Sequence, residues 1–447
     1  MLLNKLNTES NLTAELIVKA AQKCDTPFYI YDEKIIIDRC NELINMPNAF
    51  GLEINYAVKA NSNRAILQII HKQSLSFDAS SLNEVKRIHL AGIPLKKITL
   101  TTQEVPEGKD RIILEKFIKK GLKYNVCSFR QLKLISDFAA YNNINLSFRV
   151  HPGVGSGESA TRNTGDKYSC FGVHLSDIDE VINYAKDKKV IFNEVHVHIG
   201  SGAEPKIWRE NIDRELYFLE KYFPDAKIIN FGGGLKVGRM PDEKQANIKD
   251  LGIYAKSKIE KFHTKTGRKL IMKIEPGTFV IANAGFIVTK VIDIKKTGKD
   301  GFTFIVTDGG MEVNARPLLY GSKHPFYLIS KEGKIISNEF DLNSSNKKYN
   351  EKVIVGRCCE SGDSQCLDET GHIMPRIMGM PEVYDYVVIG GCGAYCSSMA
   401  PFNYNSHPQA IELLLRRDKK SVDVIRKKQS LKQMIINELP LRNCKWN

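Results

Sequence analysis

The chain has 447 residues, 42% hydrophobic and 26% charged, a balance that excludes a disordered or fibrous protein. The length exceeds one compact core and points to two domains. Lys and Arg number 65 against 51 Asp and Glu, and the net charge of +14 raises polyanions as partners. The lysines are scattered, however, and the basic cluster Arg416-Arg417-Asp418-Lys419-Lys420 is broken by an acid. A solvated surface with no nucleic-acid partner is therefore expected. The ten cysteines include no CxxC pair and no four-ligand zinc framework, so no metal is expected. They read as free thiols of a reducing, cytoplasmic compartment. The opening residues MLLNKLNTES lack the apolar core of a signal peptide. No apolar run nears the roughly 18 residues of a membrane span, so no membrane partner is expected.

Eight short apolar or β-branched runs follow one another between about residues 28 and 275. They are Ile54–Val58, Ser74–Asp78, Ile98–Leu100, Tyr124–Val126, Leu146–Val150, Val195–Ile199, Ile228–Phe231 and Leu270–Ile274. Segments of helical period separate most of them. Ala65, Ile66, Ile69 and Ile70 keep the spacing of one helix face, as do Val85, Ile88, His89 and Ala91. Strand alternating with helix predicts a parallel sheet. Eight repeats in some 250 residues are the size of a closed (β/α)8 TIM-type barrel. After Ile274 the pattern changes. Phe286–Ile294, Phe302–Thr307, Phe326–Ser330, Lys352–Val355 and Tyr384–Ile389 read as strands, and helical stretches return only at Gln409–Leu415 and Ser430–Asn437. The expected organisation is a barrel over residues 28–280. A β domain, a small barrel or sandwich, is expected from residues 1–27 and 281–447.

Active sites of such barrels lie at the C-terminal ends of the strands. There the sequence places Lys59, Asp78, His151, His198 with Gly200-Ser201-Gly202, Gly232-Gly233-Gly234 and Glu275-Pro276-Gly277. A lysine in a barrel mouth is partly desolvated, which favours its neutral, nucleophilic amine. Alone it reads more readily as a solvated strand end. A triple glycine lets backbone N–H groups approach an anion, and phosphate sites after strands seven and eight are common in barrels, though a tight turn explains the run as well. A carboxylate facing a pyridine nitrogen would keep that nitrogen protonated. His196 and His198 share one strand face, but no third ligand suggests a metal. In the β domain, Cys358-Cys359-Glu360-Ser361-Gly362-Asp363 sets thiols beside acids, and Arg316 offers a fork for a carboxylate.

As an ordered set, Tyr56–Asn61, His198–Gly202, Gly232–Gly234, Glu275–Gly277, Cys359–Asp363, Gly393-Ala394-Tyr395 and Asn403–Ser406 resemble the fold-type III pyridoxal-phosphate decarboxylases. Within that family they resemble its diaminopimelate-decarboxylating branch. The resemblance covers nearly the whole chain, from Thr26-Pro27-Phe28 to Pro408. It implies an alanine-racemase-like barrel with a C-terminal β domain, pyridoxal 5'-phosphate as cofactor, and decarboxylation of meso-2,6-diaminopimelate to L-lysine. It also implies a homodimer with shared active sites. Lys59 would hold the cofactor, His198 would stack on its ring and Glu275 would pair with its nitrogen. Asp78 and Arg149 would lie near the ring's other edge. Ser201, Gly232, Gly233, Gly234, Gly277 and Tyr395 would hold the phosphate. Cys359 and Glu360 would come from the partner subunit. Arg316 and Tyr320 would meet the distal carboxylate, Glu360 the distal ammonium, and Cys359 or Lys59 would return a proton.

Departures bear on the substrate. Thr278 stands where the family commonly carries an arginine that also grips the distal carboxylate, and a hydroxyl cannot replace that fork. Arg357 is a candidate compensator. Cys170 replaces a lysine whose partner would be Asp363, and His407 replaces an arginine. A sibling decarboxylase of another amino acid is the alternative reading. A racemase fits the β-domain motifs poorly, and a non-catalytic relative fits poorly with the retention of Lys59 and Cys359.

Overall fold

The computed structural model describes residues 6, 9–153, 165, 167–200, 205–341, 349–418 and 421–441. They divide into two units. One comprises residues 36–238 and 242–282; the other comprises residues 1–35, 239–241 and 283–447.

In chain order the first ten strands are β1 (Phe28–Asp32), β2 (Leu52–Ala57), β3 (Ser76–Ala79), β4 (Ile98–Thr101), β5 (Lys123–Val126), β6 (Leu146–His151), β7 (Val173–His174), β8 (Phe192–His196), β9 (Ile228–Asn230) and β10 (Ile271–Ile274). Eight of them run β2-β3-β4-β5-β6-β8-β9-β10, and β10 pairs back onto β2 with Met272 opposite Leu52. All these pairings are parallel, so the sheet closes into the expected barrel.

Helices cover its outside for reasons visible in their sequences. Among those between strands, the helix Arg64–Lys72 starts where Asn63 accepts from the Ala65 N–H, and it buries Ile66, Leu67, Ile69 and Ile70. Ser81 and Ser128 cap the helices Leu82–Leu90 and Phe129–Tyr141 in the same way. The long helix Ile248–Thr266 ends on Gly267, whose φ of +74° suits a residue without Cβ. Each aliphatic side chain buried this way contributes about 1.5–3 kcal/mol.

The second unit is a ten-stranded sheet. Its strands after β10 are β11 (Gly285–Lys296), β12 (Thr303–Thr307), β13 (Phe326–Ile329), β14 (Ile335–Asn338), β15 (Asn350–Val355), β16 (Arg376–Met378), β17 (Tyr386–Ile389), β18 (Ile411–Leu415) and β19 (Val422–Arg426). The order is β14-β13-β17-β11-β1-β18-β19, and the far half of the long β11 carries β12, which leads on to β15 and β16. A register shift between Val291 and Asp293 lets β11 serve both arms. Phe28, Ile30, Phe286, Val288, Tyr327, Val388 and Leu413 form its core, together with Ile17 and Val18 of the helix Ala14–Cys24.

Two elements differ from expectation. Phe28–Asp32, assigned to the barrel from sequence, pairs with β11 and β18 in the second sheet. Its all-buried pattern is the same for any doubly covered strand, so its partner could not be read locally. Gln409–Leu415 was expected to be helical, but Ile411–Leu415 is strand β18. Its leucines and glutamate favour helix weakly, and pairing on both sides, with β1 and β19, overrides that preference.

Candidate active site

The barrel mouth gathers the charged residues singled out above. Strand β2 ends at Ala57, whose N–H donates to the Pro276 carbonyl at 3.2 Å. A single 3-10 turn, Val58–Ala60, follows, and because Val58 and Ala60 are buried, Lys59 is turned outward and exposed. Its charge acts on Asp78, Glu84 and His198.

Glu275 follows β10 and is 6% exposed. Its Oε1 accepts from Asn230 Nδ2 at 2.7 Å, and His196 Nε2 stands 3.3 Å from its Oε2, off the line of a hydrogen bond. Burial opposes its charge, but His196, Lys273 and the Asn230 amide outweigh that and hold the carboxyl well below the usual range. Behind it, Asn230 also donates to Glu194 at 2.9 Å, Lys273 pairs with Glu194 at 2.9 Å, and Lys273 donates to Thr99 at 3.1 Å. This network fills the barrel interior.

Asp78 behaves in the opposite sense. Burial pushes its carboxyl well above the usual range, and the Glu275 charge adds to the effect, while Lys59 and Thr101 pull the other way. Its Oδ1 is buried and has no hydrogen-bond partner.

His198 is held by the glycine run. The Gly233 N–H donates to His198 Nδ1 at 3.0 Å, which leaves the ring proton on Nε2 in the neutral form. Burial and then the charges of Lys59, Arg149 and His196 keep the imidazole well below its usual pKa, so it is neutral at pH 7. The glycines are required by this packing. A Cβ at Gly232, where φ is +65°, would lie 2.7 Å from His198 Nδ1, and one at Gly233 would lie 2.6 Å from the Glu275 carbonyl oxygen. A Cβ at Gly277 would press on Ala57 and Ala60, each at 3.1 Å. Gly234 also has a positive φ, +88°. Arg149 ends in β6, 8% exposed, with its guanidinium over the Phe171 ring at 4.9 Å. Thr278 opens the short helix Thr278–Ile281 and is half-buried. Ser201, and Gly202 after it, lie outside the described residues.

The remaining candidates lie in the second unit. Arg316 is 3% exposed and stands 5.9 Å from the Tyr320 ring and 6.0 Å from the Tyr395 ring. Tyr395 itself has a φ of +59°. Cys359 and Glu360 are exposed. The Cys359 N–H donates to Asn405 Oδ1 at 2.8 Å, and Tyr404 donates to Glu360 Oε2 at 3.2 Å. The asparagine-rich segment after Pro401 thus holds the cysteine motif in place. Asp363 accepts from the Met311 and Cys358 N–H groups at 2.6 and 2.7 Å, so backbone amides satisfy it without a lysine. Arg357 pairs with Glu312 at 3.2 Å, so its charge is already matched.

Sequence reasoning missed Glu194, Asn230 and Lys273. The available signal was a charged or amide residue inside an otherwise apolar strand, as in Ile271-Met272-Lys273-Ile274. A lone lysine there reads as an edge or a surface position; only closure of the barrel makes it an interior one.

A cofactor can be tested against this arrangement. The barrel mouth offers an outward amine, a neutral imidazole pinned beside three glycines, an ionised carboxylate backed by a buried network, and an orphaned carboxyl oxygen. These groups fit a pyridoxal phosphate, whose aldehyde, ring, nitrogen and phosphate need partners of those kinds. Residues 36–282 match the family model "Pyridoxal-dependent decarboxylase, pyridoxal binding domain". The chain belongs to the pyridoxal-dependent decarboxylases, and its cofactor is pyridoxal phosphate.

Within that class it is similar to the diaminopimelate decarboxylase of Buchnera aphidicola subsp. Baizongia pistaciae, 29% identical over 98% of this chain and 99% of the relative. A crystal structure of diaminopimelate decarboxylase superposes with a TM-score of 0.84 and 25% identity, covering 96% of this chain and 97% of the other. The diaminopimelate decarboxylase of Helicobacter pylori, complexed with L-lysine, gives a TM-score of 0.76 and 27% identity over 94% of this chain and 98% of the other.

Proposed function

We infer that the chain decarboxylates meso-2,6-diaminopimelate to L-lysine and carbon dioxide. The similarity to diaminopimelate decarboxylases over nearly the whole of both chains carries this reading. Bound pyridoxal phosphate supplies the sink for the electron pair that the departing carboxylate leaves behind. Lys59 holds the cofactor through its Nζ. His198, neutral and fixed by Gly233, lies against the ring without adding a charge to it. Glu275, kept ionised by His196, Lys273 and Asn230, keeps the ring nitrogen protonated. Asp78 and Arg149 take the ring's other edge. Ser201, the N–H groups of Gly232, Gly233 and Gly234, Gly277 and Tyr395 take the phosphate. Arg316 and Tyr320 receive the carboxylate that is retained, and Glu360 the distal ammonium. The Cys359 thiol returns a proton to the carbon. We further propose that the protein acts as a homodimer in the cytoplasm, with Cys359 and Glu360 serving the partner's site. Among the described residues no helix is long and apolar enough to cross a membrane.

Purified protein loaded with pyridoxal phosphate is expected to release carbon dioxide from meso-diaminopimelate with equal formation of L-lysine. Lys59→Ala is expected to lose at least a thousandfold in kcat, as removal of a nucleophile does. Absence of turnover on meso-diaminopimelate defeats the reading. Thr278 favours one alternative, a decarboxylase of an amino acid without the distal carboxylate. Tenfold better kcat/KM on lysine, ornithine or arginine than on meso-diaminopimelate selects that alternative.

A further inference from the structure

The Cys358 thiol and the His407 ring play no part in the account so far. Both belong to the second unit, as does Glu312. A carboxylate oxygen of Glu312, the Cys358 Sγ and a ring nitrogen of His407 lie within 4.8 Å of one another. The topology brings them together. Glu312 follows β12 and Cys358 follows β15, and those strands pair in parallel with Val306 beside Val355, so their loops leave the same end of the sheet. His407 follows the turn Tyr404–Ser406, and Asn405 of that turn accepts from the Cys359 N–H of the cysteine loop at 2.8 Å. The three residues lie far apart in the chain, so no cysteine spacing points to them.

The side chains are already oriented. Glu312 is 6% exposed; its Oε2 accepts from the Gly310 N–H at 2.8 Å, and its Oε1 faces Arg357 Nε at 3.2 Å. Bonds of this kind fix the direction of a carboxylate, as they do in the outer shell of a metal site. The Cys358 Sγ stands 3.5 Å from the same Oε2, and the Cys358 N–H donates to Asp363 Oδ2 at 2.7 Å. Among the described residues the His407 ring makes no hydrogen bond. Cys358 and His407 are half-buried, so water reaches the cluster.

Zinc bonds of about 2.3 Å to sulfur and about 2.0 Å to nitrogen or oxygen set tetrahedral ligands roughly 3.3–3.6 Å apart. The separation of Cys358 from Glu312 already matches, and side-chain movements on the order of an ångström bring His407 to the same spacing. The charge suits a divalent cation. Glu312, Asp363 and an ionised Cys358 set three negative charges against the single positive charge of Arg357. A thiolate, an imidazole and a carboxylate form a borderline set that suits zinc, whereas magnesium and calcium take oxygen ligands.

We propose that Glu312, Cys358 and His407 bind one zinc ion, with water in the fourth position, and that the ion ties the loop carrying Cys359 and Glu360 to its neighbours. The proton of the Cys358 thiol leaves for solvent as the sulfur–zinc bond forms. The proposal does not depend on which amino acid the enzyme decarboxylates.

The test uses holoenzyme, freed of metal by dialysis against a chelator, titrated with zinc chloride by calorimetry and with cobalt(II) by absorbance. Wild type is expected to take up one zinc per chain, and bound cobalt to show tetrahedral ligand-field bands and a thiolate-to-cobalt charge-transfer band. Cys358→Ser and His407→Gln are each expected to weaken zinc by at least about a hundredfold, since outer-shell partners alone are worth about 10–100-fold. Cys358→Ser is also expected to lose the charge-transfer band. His407→Cys is expected to keep the zinc and strengthen that band, which a packing role for His407 does not produce. Zinc is expected to raise the unfolding temperature of wild type and to leave that of Cys358→Ser unmoved. No zinc uptake by wild type overturns the proposal. So does unchanged uptake in both variants, which assigns the ion to other groups of the chain. So does uptake lost in Cys359→Ser and kept in Cys358→Ser, which places the ion on the neighbouring thiol. If Cys358→Ser does not fold, His407→Gln and His407→Cys carry the test, and equal zinc affinity in wild type and His407→Gln overturns the proposal.

Discussion

Glu275 and Asp78 share one charge field and answer it in opposite directions. Glu275 titrates lower in the folded protein than in the unfolded chain, where a glutamate ionises near pH 4.3. Its contribution to stability is complete above that pH and is lost as pH falls through the lower folded value. Asp78 titrates higher when folded, so folding takes up a proton there. Stability therefore falls as pH rises from about 3.9 through the raised folded value. Two variants of the cofactor-free protein follow from these signs. Glu275→Gln is expected to cost roughly 3 kcal/mol at pH 7, because it strands the buried groups paired with it, and nearly as much near pH 4, where the wild-type carboxylate is still ionised in the folded protein. Asp78→Asn is expected to gain on the wild type at pH 7 and to match it near pH 4. Denaturant unfolding at the two pH values decides; parallel behaviour of the variants refutes the assignment.

At the scale of elements, each barrel strand presents residues to the interior as well as to the helices. The interior is polar near the mouth. Lys273 is fully buried and pairs with Glu194, 1% exposed, on β8, two strands away in the barrel. Lys273→Met is expected to cost about 3–5 kcal/mol because it leaves the Glu194 charge unpaired. The double variant with Glu194→Leu is expected to recover most of that, as thermal unfolding can show. A loss no smaller in the double variant means the pair matters through packing rather than charge. The sequence revealed the strand–helix alternation and the residues that end strands, because the period of two or of 3.6 is local and the strand ends carry unusual residues such as Lys59 and Glu275. It did not reveal partners far along the chain. Phe28–Asp32 and Ile411–Leu415 each look ordinary alone, and only their mutual pairing makes one a member of the second sheet and the other a strand.

For the molecule as a whole, Cys359 and Glu360 stand exposed on the single chain although both are proposed to act on substrate. A second copy resolves this if each chain lends them to the other. Chains carrying Lys59→Ala and Cys359→Ala, unfolded together and refolded as a mixture, then regain about a quarter of wild-type activity, since half the dimers are mixed and each holds one intact site. Recovery absent from a mixture that has demonstrably exchanged subunits places both residues in one chain's own site. The barrel and the second sheet also differ in when they can be completed during synthesis. The barrel closes once β10 meets β2, with Met272 opposite Leu52. Strand β1 has no such early partner: Phe28 lies opposite Val288 on one side and Ile411 on the other. Its run Phe28-Tyr29-Ile30-Tyr31, wholly buried at the end, leaves the ribosome ahead of the barrel strands and stays unpaired while some 250 further residues are made. For that interval an apolar strand with open edges is prone to aggregation. A strand made before the whole barrel is sheltered only after the barrel can close.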